Sequence, residues 1–149
     1  MRKLPDVENA KALMTDAMSW SVMKWLRQKK EVRRAADRAN AALDQMEEKT
    51  KARWSDALKA AYASVADLPA AGKSVARAPS TAASGDVLTL AKKLKHADDE
   101  ASRARMEAER TFDEAEKQLS TSMAREGCRQ AVHSWELHEK AIALAESAG

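Results

Sequence analysis

The segment LPAAGKSVARAPSTAASGD, at residues 68–86, divides this 149-residue chain into two long parts. It holds two of the three prolines and two of the four glycines, and alanine and serine fill much of the rest. Clusters of these residues mark loops rather than helices or strands. Residues 6–67 contain neither glycine nor proline, and from residue 87 onward the only internal glycine is Gly127. The sequence therefore predicts two arms, at residues 5–67 and 87–147, joined by a tip loop at residues 68–86.

Both arms repeat apolar residues at steps of three and four, which is the spacing of one face of an α-helix. Over residues 25–50 the two steps alternate without interruption, and sustained alternation favours a left-handed coiled coil. Charged residues make up 33% of the chain and aromatic residues only 4%. That composition is typical of long helices, and it leaves too few β-branched and aromatic residues for a sheet. We expect a single all-α domain, a long antiparallel two-helix hairpin with coiled-coil-like packing.

Gly127 lies on the apolar stripe of the second arm, where glycine costs about 1 kcal/mol relative to alanine. In an antiparallel hairpin Trp25 would face this glycine, and the missing side chain would make room for the indole. The alternative is a break at Gly127 that divides the second arm into two helices.

Near the termini, around residues 13–26 and 131–144, each arm is apolar on more than one side. A helix that is apolar on several sides needs other helices to cover each of those sides, and a pair of helices does not provide enough cover. The sequence therefore predicts a homodimer that forms a four-helix bundle at the base, near the termini. The alternative is one chain folded into three or four shorter helices. The predicted oligomer interface consists of Leu13, Trp20, Met23, Leu26, Trp135, Leu137 and Leu144.

Residues 24–38 are strongly cationic, with seven basic and two acidic residues, whereas the net charge of the whole chain is only +3. A cationic surface of this kind attracts nucleic acid or an acidic protein. Intrahelical pairs such as Arg27–Glu31 offer a plainer interpretation, a solvated and salt-paired helix face. The residues predicted to contact an anionic partner are Lys24, Arg27, Lys30, Arg33, Arg34 and Arg38.

The sequence contains no recognisable catalytic or metal-binding motif. His96, His133 and His138 have acidic neighbours at or near helical spacing, but no Glu-x-x-His motif occurs, so we predict no metal and no cofactor. Cys128 is the single cysteine. It is either a thiol activated by Arg129 or, more simply, a small buried apolar residue. A phosphate-binding glycine loop is missing as well, and we predict that the protein is not an enzyme.

The chain shows neither a secretory signal nor a run of 18 apolar residues, so we expect a cytoplasmic protein that does not span a membrane. Peripheral membrane binding is not favoured, because the apolar residues near the N-terminus are not confined to one helix face. The predicted function is that of a helical-hairpin scaffold or adaptor for an unknown protein partner. The alternative is nucleic-acid binding through residues 24–38.

Overall fold

A computed structural model describes residues 3–66 and 85–148, which fold into five α-helices. No strand occurs within these ranges, so the prediction of an all-α protein is confirmed. The predicted tip loop lies outside the described residues, apart from residues 85–86, which belong to a helix. The helices are α1 (Pro5–Ala17), α2 (Val22–Ala52), α3 (Asp56–Ala66), α4 (Gly85–Gln118) and α5 (Thr121–Ala148).

The two predicted arms are each interrupted, and five helices replace the two-helix hairpin. The first arm breaks at residues 18–21 and again at residues 53–55. The second arm breaks at residues 119–120 rather than at Gly127, which lies inside α5. The apolar spacing continues across every break, and for this reason the spacing did not reveal them.

A serine caps the helix that follows each break. The Ser21 hydroxyl accepts a hydrogen bond from the backbone N–H of Lys24 at 3.2 Å at the start of α2. Ser55 accepts from the N–H of Leu58 at 3.2 Å before α3, and Ser120 accepts from Met123 at 3.1 Å before α5. A serine in this position satisfies an N–H that has no partner within its helix, and so favours a new helix start.

The turn between α4 and α5 depends on Leu119, whose φ of 52° lies in the left-handed region. The N–H of the next residue, Ser120, donates to the carbonyl of Ala115 at 3.0 Å. A left-handed residue followed by such a bond is a common way to end a helix, although glycine usually takes the position. The turn reverses the chain, and α5 packs along α4 in the most extensive helix contact of the fold.

Ion pairs between helices show the relative direction of α2 and α4. Arg33 of α2 pairs with Glu116, and further along α2 Lys51 pairs with Asp98, so α2 and α4 are antiparallel. Since α5 reverses the direction of α4, it runs parallel to α2. α5 packs against α1, α2 and α4, and α3 packs against α4.

The core has two parts. The main cluster lies among α1, α2, α4 and α5 and includes Met14, Trp25, Leu43, Phe112 and Trp135. The second cluster joins α3 to the start of α4 and the end of α5. All four tryptophans are at most 6% exposed. One chain therefore covers most of the apolar surface that suggested a dimer. This is the arrangement of the alternative prediction, in which a single chain folds into several shorter helices. None of the described helices combines the length and apolarity that a membrane span requires.

Candidate protein-binding face and buried polar network

The seven residues predicted to form an oligomer interface do not share one surface. Trp20 and Trp135 are buried in the main cluster of their own chain, so neither requires cover from a second copy. Leu13 is partly buried against the same cluster, Leu144 packs on the second cluster, and Leu137 is half-buried. Only Met23 and Leu26 are exposed, at 67% and 43%.

Met23 and Leu26 lie at the start of α2 beside Val22, which is 52% exposed. Trp25 of the same helix is buried. Residues three and four apart share a helix face, so Arg27 and Lys30 continue the exposed side that Met23 and Leu26 begin. We call Val22, Met23, Leu26, Arg27 and Lys30 the α2 face. It joins three aliphatic side chains to two exposed cations.

The six predicted cationic contacts differ in how far their charges are already paired. Arg33 bonds to Glu116 at 2.8 Å and to Asp113 at 3.2 Å, and Arg34 bonds to Glu31 at 2.5 Å. Lys24 lies over the ring of Trp20, 5.2 Å from its centroid. The remaining three make no ion pair with another described residue and are exposed. They are Arg27, Lys30 and Arg38.

A shallow groove of about 410 Å³ adjoins the α2 face. Lys29, Lys30, Arg33 and Arg34 line it, together with the single carboxylate of Glu116. Arg33 and Arg34 are already paired with acidic residues. Lys29 and Lys30 make no ion pair with another described residue, so they give the groove a positive potential, which attracts carboxylates or phosphates.

A polar network crosses the middle of the bundle, and sequence reasoning did not find it. Arg105 of α4 holds Asp44 of α2 through two hydrogen bonds, at 3.0 and 3.2 Å. It also donates to Nδ1 of His138 at 3.0 Å, and Nε2 of His138 is 3.1 Å from Glu47. These residues are distant in sequence and come from three helices, so no spacing in the sequence brings them together.

The network continues from Glu47 to Lys51, Asp98 and Tyr62. Lys51 bonds to Glu47 at 3.0 Å and to Asp98 at 2.7 Å, and the Tyr62 hydroxyl donates to Asp98. Burial opposes the charge on Glu47, but its bonds with His138 and Lys51 prevail and lower its pKa to about 2. Burial, followed by the bond to Asp98, raises the pKa of Tyr62 to about 12.

Asp44, Glu47 and His138 bring three potential metal ligands within 4.8 Å of one another. Arg105 donates to Nδ1 of His138, because a guanidinium has no acceptor. The imidazole proton then lies on Nε2 and points to Glu47, which leaves no lone pair for a metal at that nitrogen. The arrangement is therefore that of a structural hydrogen-bond network. The other two histidines, His96 and His133, are exposed.

Cys128 is fully buried in the main cluster. Burial raises the pKa of its thiol to about 12, so the thiolate that would react is strongly disfavoured. Its environment is that of a small apolar core residue.

The described residues form an all-α helical bundle that exposes an apolar and cationic surface on α2. Comparisons with family models, curated proteins and solved structures give no match to this chain.

Proposed function

We propose that this protein is a non-enzymatic helical adaptor that binds an acidic, partly apolar segment of another protein through the α2 face. One observation carries the proposal: three exposed aliphatic side chains adjoin cations that have no described partner. A protein segment with apolar and acidic residues would cover both kinds of group at once. Apolar surface that remains exposed beside polar residues often marks such a contact.

Nucleic acid is the second candidate, supported by Arg27, Lys29, Lys30 and Arg38. Sequence-independent binding of single strands usually combines such cations with aromatic rings on which bases stack. Trp20 and Trp25, the tryptophans closest in sequence to these cations, are only 5% and 6% exposed and already belong to the core. The aliphatic side chains of the α2 face would also gain little from a phosphate backbone. Both points favour a protein partner.

Self-association is a further part of the sequence-based prediction that needs a test. With Trp20 and Trp135 in the core, a homodimer at the base would have to use Met23 and Leu26. A two-fold axis through this surface brings the same patch of both copies together. The cations of the α2 face would then repel, which favours a different protein as the partner.

The absence of enzymatic activity is likewise proposed. Among the described residues, the thiol of Cys128 is buried and His138 is engaged on both ring nitrogens. We propose the cytoplasm as the location, where a single reduced cysteine is ordinary.

The proposal is tested with the full chain as bait in three forms: unmodified, Met23→Glu/Leu26→Glu, and Met106→Glu. Met106 is a matched control, because it is 58% exposed and lies on α4. We expect a defined protein to be retained by the unmodified chain and by Met106→Glu and to be lost from the double variant. Circular dichroism establishes that all three baits are equally folded.

The same baits are treated with nuclease and also examined by light scattering. Retention that depends on nucleic acid, or gel retardation of generic RNA that disappears when Lys30, Arg33 and Arg34 are neutralised, would support the second candidate instead. A dimer that dissociates in the Met23→Glu/Leu26→Glu variant would identify the partner as a second copy. If all three baits retain the same proteins, the α2 face is not the binding surface.

A further inference from the structure

The first part of α2 extends beyond the end of α4. Ion pairs keep one register between these antiparallel helices, because the step from Arg33 to Asp44 along α2 equals the step from Glu116 back to Arg105 along α4. The pair Lys51–Asp98 continues the same register. α4 ends at Gln118, two residues past Glu116, so its last residue is level with Glu31. Residues 22–30 of α2, which we call the overhang, therefore run roughly 13 Å further than α4.

One stripe of α2 faces α4 where α4 is present and is exposed where α4 has ended. Its members are three and four residues apart and so share one side of the helix. They are Val22, Leu26, Lys29, Arg33, Ala36 and Asn40. Arg33 bonds to α4, and Ala36 lines a cleft together with Ala108 of that helix. Val22 and Leu26, on the overhang, are exposed. No described residue thus takes the place of α4 beside them.

The pattern of this stripe suits a helix as its partner. Its steps alternate between four and three residues, which is the spacing with which two helices pack along a common seam. From Arg33 onward the helix on this seam is α4 itself. An extended segment repeats its side chains every second residue and does not match such steps. A helix in line with α4 would continue the seam, and about nine of its residues would cover the overhang.

The charge at this end of the bundle is positive. Residues 18–30 and residues 117–125, at the neighbouring α4–α5 turn, contain six basic residues and no acidic one. The six are Lys24, Arg27, Lys29, Lys30, Lys117 and Arg125. A complementary helix is therefore acidic, whereas a second copy of this end would bring like charges together.

We propose that the overhang binds an acidic amphipathic helix of another protein, in line with α4. Aliphatic residues of that helix cover Val22 and Leu26, and its carboxylates pair with Lys29 and Lys30. This inference rests on the adaptor function proposed above and adds the form of the partner segment, which is a helix rather than an extended chain.

The test uses three synthetic peptides of about 18 residues, long enough to form a helix on binding. The first has leucines at heptad spacing on one face and glutamate and alanine elsewhere. The second has the same composition with the leucines scattered around the helix, and in the third lysine replaces glutamate. Binding is followed by ¹H–¹³C NMR of the methyl groups of Val22 and Leu26, with the exposed Met106 of α4 as the internal control.

We expect the first peptide to shift the Val22 and Leu26 signals in a saturable manner, to leave Met106 unchanged and to gain helix by circular dichroism. The scattered peptide and the lysine peptide should each bind at least tenfold more weakly. Lys29→Gln/Lys30→Gln should weaken binding of the first peptide about threefold to tenfold. The matched control is Lys92→Gln/Lys93→Gln, a pair of exposed lysines near the other end of α4, which should leave binding unchanged.

Equal binding of the first two peptides would overturn the proposal, as would the absence of any shift at Val22 and Leu26. It would also be overturned if vesicles of phosphatidylcholine and phosphatidylserine shifted these signals and the first peptide did not, because the surface would then suit a lipid bilayer. The adaptor function is judged separately, by the retention of a partner on the baits. If Met23→Glu/Leu26→Glu abolishes that retention while the first two peptides bind equally, the adaptor function stands and the helical partner segment is wrong.

Discussion

Phe112 lies between Trp25 and Gly127 and contacts both. The rings of Trp25 and Phe112 are stacked, with centroids 6.4 Å apart and an interplanar angle of 7°. On the other side, a Cβ added at Gly127 would lie 2.9 Å from Cδ1 of Phe112. The sequence predicted that Gly127 makes room for the indole of Trp25. The ring that fills this space is that of Phe112, which in turn supports Trp25.

Gly127→Ala should therefore destabilise the protein, although alanine is the better helix former by about 1 kcal/mol. Phe112 is 3% exposed and stacked on Trp25, so it has little freedom to move away from a new methyl group. Overpacking of this kind costs about 1–3 kcal/mol. Urea unfolding followed by tryptophan fluorescence measures the free energy of unfolding.

Phe112→Ala provides the control, since it removes all three ring atoms that approach Gly127. In that background Gly127→Ala should be neutral or stabilising, and the double-mutant cycle should give a clear coupling between the two sites. Stabilisation by Gly127→Ala in the unmodified chain would show that Phe112 is free to shift.

Much of the core could be predicted from spacing alone. Trp25, Val32 and Leu43 lie on the alternating apolar spacing of residues 25–50 and are buried. This success has a simple cause, because the helical period determines which side of a helix is apolar whether or not the helix is broken elsewhere. Val22, three residues before Trp25, is 52% exposed, and α2 begins at that residue.

The helix breaks and the polar network could not be predicted in the same way. The breaks at Ser21, Ser55 and Ser120 lack glycine and proline, so the usual signals of interruption were missing. A serine three residues before a free N–H is a weak signal, since many serines lie within helices. The bonds between Arg105, His138 and their partners depend on which helices become neighbours, and that follows from the breaks.

The serine caps lead to a second prediction. Ser55→Ala and Ser120→Ala should each destabilise the protein by about 1 kcal/mol, the usual cost of losing a capping hydroxyl. Ser102 is exposed and lies inside α4, so Ser102→Ala serves as the control and should be neutral or slightly stabilising. Thermal unfolding measured by circular dichroism distinguishes these outcomes. Equal effects at all three positions would mean that the caps contribute nothing specific.

Leu119 provides a third prediction, because its backbone is left-handed and its side chain is 71% exposed. The left-handed conformation costs a non-glycine residue about 1–2 kcal/mol. Leu119→Gly removes this cost and loses little buried surface. Glycine also makes the unfolded chain more flexible, which offsets part of the gain. The net effect should be a stabilisation of about 0.5–1 kcal/mol. Denaturant unfolding measures the change.

Met106→Gly is the matched control for Leu119→Gly. Met106 is also largely exposed, at 58%, but it lies inside α4 with ordinary helical geometry. Glycine should destabilise there by about 1 kcal/mol. The two substitutions should therefore have opposite signs. A loss of stability in both variants would show that the α4–α5 turn does not strain Leu119.

The fourth prediction concerns Tyr62, the only tyrosine of the chain, so that its ionisation is observed alone by ultraviolet absorbance. Burial, together with the bond to Asp98, raises its pKa from the ordinary 10.0 to about 12 in the folded protein. The folded state therefore holds the phenol proton more tightly than the unfolded state does. The resulting stability is complete below pH 10.0 and is lost as the pH rises towards about 12. Burial lowers the pKa of Lys51, but its bonds to Asp98 and Glu47 raise the pKa by more. Lys51 therefore also contributes stability that is lost as the pH rises above 10.5.

Asp98→Asn separates the two causes of the raised pKa of Tyr62. The substitution removes the carboxylate but keeps the residue's size, so the pKa of Tyr62 should fall part of the way towards its ordinary value, with burial maintaining the rest. Asp99→Asn is the matched control, because Asp99 pairs with Lys95 at 2.7 Å and makes no described bond to Tyr62. It should leave the titration unchanged. A Tyr62 that ionises near pH 10.0 in the unmodified folded protein would mean that the hydroxyl is solvated and that its bond to Asp98 does not persist in solution.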